Sequence, residues 1–290
     1  MSSTVTAARS VRRLIRAMHA SDGAGVKLRR SLGQSNDARV DPFLMLDEFS
    51  TDNPDDDIAG FPAHPPRGFE TVTYMLEGHM QHKDHLGHTG DLTPGSVQWM
   101  TAGRGIIHSE MPQQVEGRMR GFQLWINLPA SEKMKPAGYR DIPPGDIPSV
   151  VLPAGGTVKV IAGAIEGDGH TTRGPVQGIS TEPQFLDVVL PAGAVFEHAL
   201  PATHSAYVYV YEGAAAIGPE SERRPVHAHE GAVLSDGTVV AVAAGETGAR
   251  FLLLAARPLR EPVVQYGPFV MNTREEIEQA LRDYQTGNFA

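Results

Sequence analysis

The sequence predicts an all-β chain in two related halves, with one short helix near the C-terminus. Three observations lead to that expectation. Short runs rich in β-branched and aromatic residues recur along most of the 290 residues, each bounded by Gly or Pro. The pattern restarts after a polar stretch near the middle. Helical spacing of apolar residues shows only in the tail.

In chain order, "NDARVDPFLMLDEFSTDNP" at 36–54 sets a short apolar core between turn formers. The strand-like runs "ETVTYMLEG", "GSVQWMTAG" and "GFQLWINLP" follow, up to Pro129. Residues 129–149, "PASEKMKPAGYRDIPPGDIPS", read as a linker because Pro and Gly interrupt every candidate element. The second set is "TVKVIAGAIEG", "QFLDVVLPAG", "SAYVYVYEG", "GAVLSDGTVVAVAAG" and "ARFLLLAARP". "TYMLEG" at 73–78 and "VYVYEG" at 208–213 read as one structural position in two halves, hence duplication of a domain and not a solenoid. In the tail, Thr273 followed by Arg274, Glu275 and Glu276 is an N-cap with acids in the first turn. Ile277, Leu281 and Tyr284 then fall at helical spacing, which predicts a helix over roughly 273–286.

Composition removes several function classes. With no cysteine, there are no disulfides, no thiolate zinc site and no cysteine nucleophile, so any metal must be held by imidazole and carboxylate. A formal charge of −9 argues against direct nucleic-acid binding, which needs a basic face. No run approaches the roughly 18 apolar residues of a membrane span. Residues 1–21 hold Arg9, Arg12, Arg13 and Arg16 and no acid before Asp22; a first strand with an arginine-rich outer face is preferred to a transit peptide. The expected location is cytoplasmic. Asp55, Asp56 and Asp57 read as a solvated loop, since the ordered spacing of an EF-type calcium site is missing.

Six of the twelve histidines lie between 64 and 108, so the chemistry is sought there. His108 and Glu110 in "GIIHSEM" are two apart, which on a strand puts them on one face as two ready ligands for a divalent ion. Upstream, "AHPPRGFETVTYMLEG" carries His64, Glu70 and a strand closed by Gly78. Downstream, "GSVQWMTAGRGIIHSEMP" is a Gly-bounded strand, a turn and the last histidine. Together these are the two halves of a cupin motif, so the fold class expected is two double-stranded β-helix (cupin) barrels with a short C-terminal helix. The interior of such a barrel has room for an ion and a small ligand.

The longer blocks "DPFLMLDEF", "HPPRGFETVTYMLEG", "GHTGDLTPGSVQWMTAGRGIIHSEMP", "FQLWINLP", "SEKMKP" and "LREPVVQYGPFVMNTREEI" resemble the pirin family over nearly the whole chain. The resemblance implies two stacked cupin barrels, similar to quercetin 2,3-dioxygenases, with one ion in the N-terminal barrel. The implied division is an N-terminal metal-binding barrel over 1–133, a linker over 134–149, a C-terminal barrel over 150–265 and a helical tail over 266–290. It also implies iron as the usual ion, with flavonol dioxygenation in a bacterial branch and a nuclear transcriptional role in an animal branch.

Matched position by position, His64 and His108 take the family's first and third histidine ligands and Glu110 its glutamate, also the candidate catalytic base. Pro66 stands where the second histidine belongs and has no ligating group. Three readings stay open. The two-histidine, one-carboxylate set binds an ion with extra open positions, as in non-haem iron(II) sites; Glu70 or a histidine of 79–88 swings in as a fourth ligand; or affinity is lost. The expected cofactor is one divalent metal, Fe(II) ahead of Zn, Cu, Ni or Mn.

His79, His82, His85 and His88 read as an exposed hairpin, and His198, His204, His227 and His229 as outside any metal site. Trp99 and Trp125 read as structural core residues that do not stack on a substrate. As an enzyme the chain would be a quercetinase-type dioxygenase taking a small aromatic substrate and O2. Otherwise it would be a metal- or redox-sensing regulator with a protein partner, or a metal-free remnant.

Overall fold

The computed structural model describes residues 7–52, 59–113, 117–167 and 169–290. The aspartate run at 55–57 lies outside them. The chain divides into two compact units, one of Met18–Pro144 with Leu259–Ala290 and the other of Gly145–Pro258 with Met1–Ala17. The first carries the histidine-rich segment. No helix among the described residues is long and apolar enough to cross a membrane.

Both units are built from antiparallel strands, as the Gly- and Pro-bounded runs predict. In the first unit a seven-stranded sheet runs in the order Gly138–Ile142, Val97–Thr101, Phe69–Glu77, Met119–Asn127, Phe43–Thr51, Val26–Leu32, Met18–Asp22. A four-stranded sheet, Phe61–His64, His108–Pro112, Met80–Asp84, Thr89–Leu92, completes the barrel. In the second unit the main path is Val11–Arg16, Glu230–Leu234, Ser205–Ile217, Val239–Ala256, Gln184–Leu190, Thr157–Ala162, Ser149–Val151. Here "TYMLEG" and "VYVYEG" occupy the third strand of seven in both paths. The two long strands of the second unit bend at Gly213 and Gly248, both at positive φ. A Cβ on Gly213 would lie 2.2 Å from the Gly248 carbonyl oxygen, so no side chain fits where they cross.

The unit boundaries differ from the division read along the sequence. Val11–Arg16 pairs with Glu230–Leu234 and so belongs with the C-terminal half. Gly138–Ile142, within the apparent linker, pairs with Val97–Thr101. Leu259–Ala290 returns to the first unit. Each of these is a short segment whose partner lies far away in sequence, and local pattern carries no information about which sheet edge is free. The arginine reading of the first strand holds for Arg12, Arg13 and Arg16 but not for Arg9, which is buried and donates to the carbonyls of Pro201, His204 and Ser235.

The tail helix is Arg274–Thr286, capped as expected. Glu276 N–H donates to Thr273 Oγ1 and Thr273 N–H donates to the Glu276 carboxylate, a reciprocal capping box. Its buried residues are Ile277 and Ala280. Tyr284, read as part of the stripe, is 45% exposed and meets Phe289 edge-on instead.

Candidate metal centre

Strand pairing assembles the centre. His108 stands opposite His64 across one edge of its strand and opposite Asp84 across the other, while Glu110 stands opposite His82. Since i and i+2 share a face, His108 and Glu110 both point into the barrel, and both are buried. One nitrogen from each of His64 and His108 and one oxygen of Glu110 lie within 4.8 Å of one another, and no other group of three His, Asp or Glu among the described residues does so.

The donor set fits a divalent ion. His64 Nδ1 lies 2.9 Å from the Pro62 carbonyl, an acceptor only, so Nδ1 carries the proton and Nε2 keeps its lone pair. His64 Nε2 and His108 Nε2 are 2.9 Å apart, close to the ~3.0 Å expected of two cis ligands about 2.1 Å from one ion. Burial pushes the pKa of His108 down to about 4, helped by His64 and His82 and opposed by Glu110, so its ring is neutral at pH 7. Glu110 accepts from Thr73 Oγ1 at 3.0 Å and from Gln123 Nε2 at 3.0 Å, which fixes its carboxylate in the barrel interior.

Those two donors belong to a row the sequence does not announce. Across the seven-stranded sheet, Asp141, Gln98, Thr73, Gln123, Asp47 and Arg30 are successive cross-strand partners. All face the same side, toward Glu110, and the charged ends are paired. Gln98 donates to Asp141, and Arg30 holds Asp47 through two hydrogen bonds. Burial still raises Asp47 to about 6, against the lowering effect of Arg30. The signal was alternate polar residues in strands otherwise apolar, and it becomes visible only once register is known.

His82 departs from the exposed-hairpin reading. It is buried, bonded through Nε2 to both Asp141 oxygens at 2.9 and 3.0 Å, and packed edge-on against Tyr139. His79, His85 and His88 are at the surface or partly so. Glu70 is not aimed at the centre. It sits three residues from Thr73 and hence on the opposite face of their strand, where it accepts from Thr101 Oγ1 and Trp99 Nε1. Pro66 is buried, and its carbonyl accepts from Ile106 N–H. Arg67 beside it is buried too, donating to the carbonyls of Arg104 and Phe289 and to Asp283. The tail thereby ties down the two segments leading to His64 and His108.

A cavity of about 520 Å³ opens beside His64, walled by Met45, Phe61 and Trp125 and edged by Arg30, Gln123 and Gln265. Trp99 is a core residue as expected, 4% exposed. Trp125 is both, since it packs on Phe69 with ring centroids 4.3 Å apart and also lines this cavity. A core role alone is therefore too narrow for it.

In the second unit, His227 is exposed while His198 and His204 are buried. His198 Nε2 has no hydrogen-bond partner among the described residues, and burial lowers its pKa to about 4.

Comparison with known proteins identifies the family and the fold. The family model described as Pirin matches residues 25–126, and that of the pirin C-terminal cupin domain matches 185–290. A Pseudomonas aeruginosa protein named "Putative quercetin 2,3-dioxygenase" is 58% identical, with 93% of this chain and 94% of that protein covered. Human pirin is 44% identical, over 91% of this chain and 88% of its own length. The crystal structure of a quercetin 2,3-dioxygenase from Acinetobacter baumannii superposes with a TM-score of 0.88 at 33% identity, covering 98% of this chain and 99% of that one.

Proposed function

The chain belongs to the pirin family, and from that premise we propose that it is a metal-dependent dioxygenase of the quercetinase type, acting on a flavonol-like aromatic with O2. The observation that carries the reading is the convergence of His64, His108 and Glu110, with His64 itself lining an aromatic-walled cavity. His64 and His108 would hold the ion through Nε2 and Glu110 through a carboxylate oxygen, with Fe(II) as the ion expected of two imidazoles and one carboxylate. When bound, a divalent ion there supplies a Lewis-acidic centre with open positions for small oxygen ligands.

The chain's own groups do the rest. Met45, Phe61 and Trp125 form apolar walls that orient a ring and exclude water. Glu110 accepts the proton of an enolisable hydroxyl brought to the centre, and Thr73 and Gln123 hold its carboxylate in place for that transfer. His108, kept neutral by burial, presents a lone pair at the pH where the base works. The site of action proposed is the cytoplasm.

Pro66 favours a second reading, a metal- or redox-sensing regulator with a protein partner, because a three-donor centre can retain an ion without turning over. Metal analysis of protein made without a histidine tag, followed by oxygen uptake with quercetin, separates the two. About one ion per chain with quercetin-dependent uptake supports the dioxygenase; an ion without uptake supports the regulator; no ion leaves a remnant.

A further inference from the structure

We infer that Arg30, clamped between Asp22 and Asp47, is a specificity-determining residue that makes the cavity accept neutral oxygen-bearing aromatics and reject aromatic carboxylates. The inference rests on the reading of this cavity as the substrate site.

An arginine in an aromatic-walled cavity ordinarily suggests a carboxylate anchor, because its fork matches a carboxylate. Arg30 is already matched. Its Nε donates to Asp47 Oδ1 at 2.8 Å and its Nη2 to Asp47 Oδ2 at 2.7 Å, the bidentate pairing a ligand carboxylate would need. Nη2 also donates to Asp22 Oδ2 at 2.7 Å. What remains is Nη1, at the other edge of the fork, which has no hydrogen bond among the described residues. Arg30 is therefore left with donors for a single oxygen while its charge is spent.

The electrostatic count agrees. Asp22 and Asp47 outweigh Arg30 by one negative charge, and among the described residues no other arginine or lysine lines the cavity. Asp47 is buried and cannot turn away, and Asp22 lines the cavity itself. An incoming carboxylate meets net negative charge at this end of the cavity, and like-charge juxtaposition disfavours it. A phenol, ketone or amide oxygen meets only the Nη1 donors.

The test is anaerobic calorimetric titration of the full chain, with its metal content measured, using a matched pair of probes. 6-Hydroxy-2-naphthamide and 6-hydroxy-2-naphthoate share ring and hydroxyl and differ in charge at one end. The wild type should bind the amide about tenfold or more tightly than the acid. Asp22→Asn keeps the turn, since its oxygen still accepts from Gly23 N–H, and should strengthen acid binding several-fold while leaving the amide unchanged. Arg30→Lys, checked for an unchanged melting temperature, should weaken the amide by removing the fork. Equal binding of the two probes by the wild type, no binding of either, or an Asp22→Asn ratio equal to wild type each overturns the proposal. Amide selectivity without quercetin-dependent oxygen uptake would sink the dioxygenase reading and leave this one standing.

Discussion

The two barrels put the same ladder to opposite uses. In the first unit the row through Thr73 reads Asp141, Gln98, Thr73, Gln123, Asp47, Arg30. The row through the matching Val208 in the second reads Leu14, Ala232, Val208, Leu253, Leu186, Val160. Six polar positions face six apolar ones. The second row belongs to a closed core of Val, Leu and Phe side chains, whereas the first supports a carboxylate beside a cavity.

The smaller sheets agree. Ile217 opposite Val242 matches His82 opposite Glu110, and two residues on, Val240 opposite His198 matches His108 opposite His64. His198 is thus the one polar member of these four positions, its ring stacked on Phe196 and its Nε2 without a hydrogen-bond partner among the described residues. A cupin barrel becomes a site or a core according to one interior face, and a polar face survives burial only where nearly every group finds a partner.

The comparison breaks most directly at its centre. His108→Ala should lower metal affinity about 100-fold or more, beyond the roughly 10–100-fold of outer-shell changes, whereas His198→Ala should leave metal content unchanged. Elemental analysis after dialysis against a chelator decides it, and a second ion per chain lost with His198 would end the comparison.

Acid should act next most strongly, through His198. Burial holds its folded pKa near 4 against an ordinary 6.5, so the unfolded chain binds the proton more readily. The stability it contributes is complete above pH 6.5 and falls as pH drops toward 4, by about 3 kcal/mol over the window. Hydrogen exchange of Ser205–Ile217 amides at pH 7 and pH 4.5 should show this, and His198→Leu should flatten it. An unaltered pH response in that variant would assign the acid sensitivity elsewhere.

Swapping one rung of the row sharpens the contrast. Gln123→Leu removes a donor to Glu110 and should cost roughly tenfold in metal affinity with little change in melting temperature. Leu253→Gln, its counterpart, buries an unpaired amide and should destabilise by about 1–3 kcal/mol with no change in metal. Similar outcomes from both would mean the rows are not doing different jobs.

The smallest effect expected is from Pro66→His. The backbone carbonyl that receives Ile106 N–H is kept, and a fourth ligand should slow metal loss to a chelator several-fold. No gain would place residue 66 out of reach of the ion.

Much of this was legible in the chain itself. Strand content, the duplication, the tail helix with its Thr273 cap, and the trio His64, His108 and Glu110 all follow from short-range pattern or from the family blocks. Gly and Pro punctuation, i to i+2 spacing and capping chemistry are local properties, and a sequence carries them openly. Register and partner choice are not local. That Val11–Arg16 joins the C-terminal sheet, that Gly138–Ile142 is a strand, that His82 turns inward to Asp141 and Glu70 turns away, and that Arg30 meets two aspartates were decided only when distant strands came into alignment. A shift of one residue in pairing would have sent each of those side chains to the other face, so tertiary structure alone could fix which polar residues became a site.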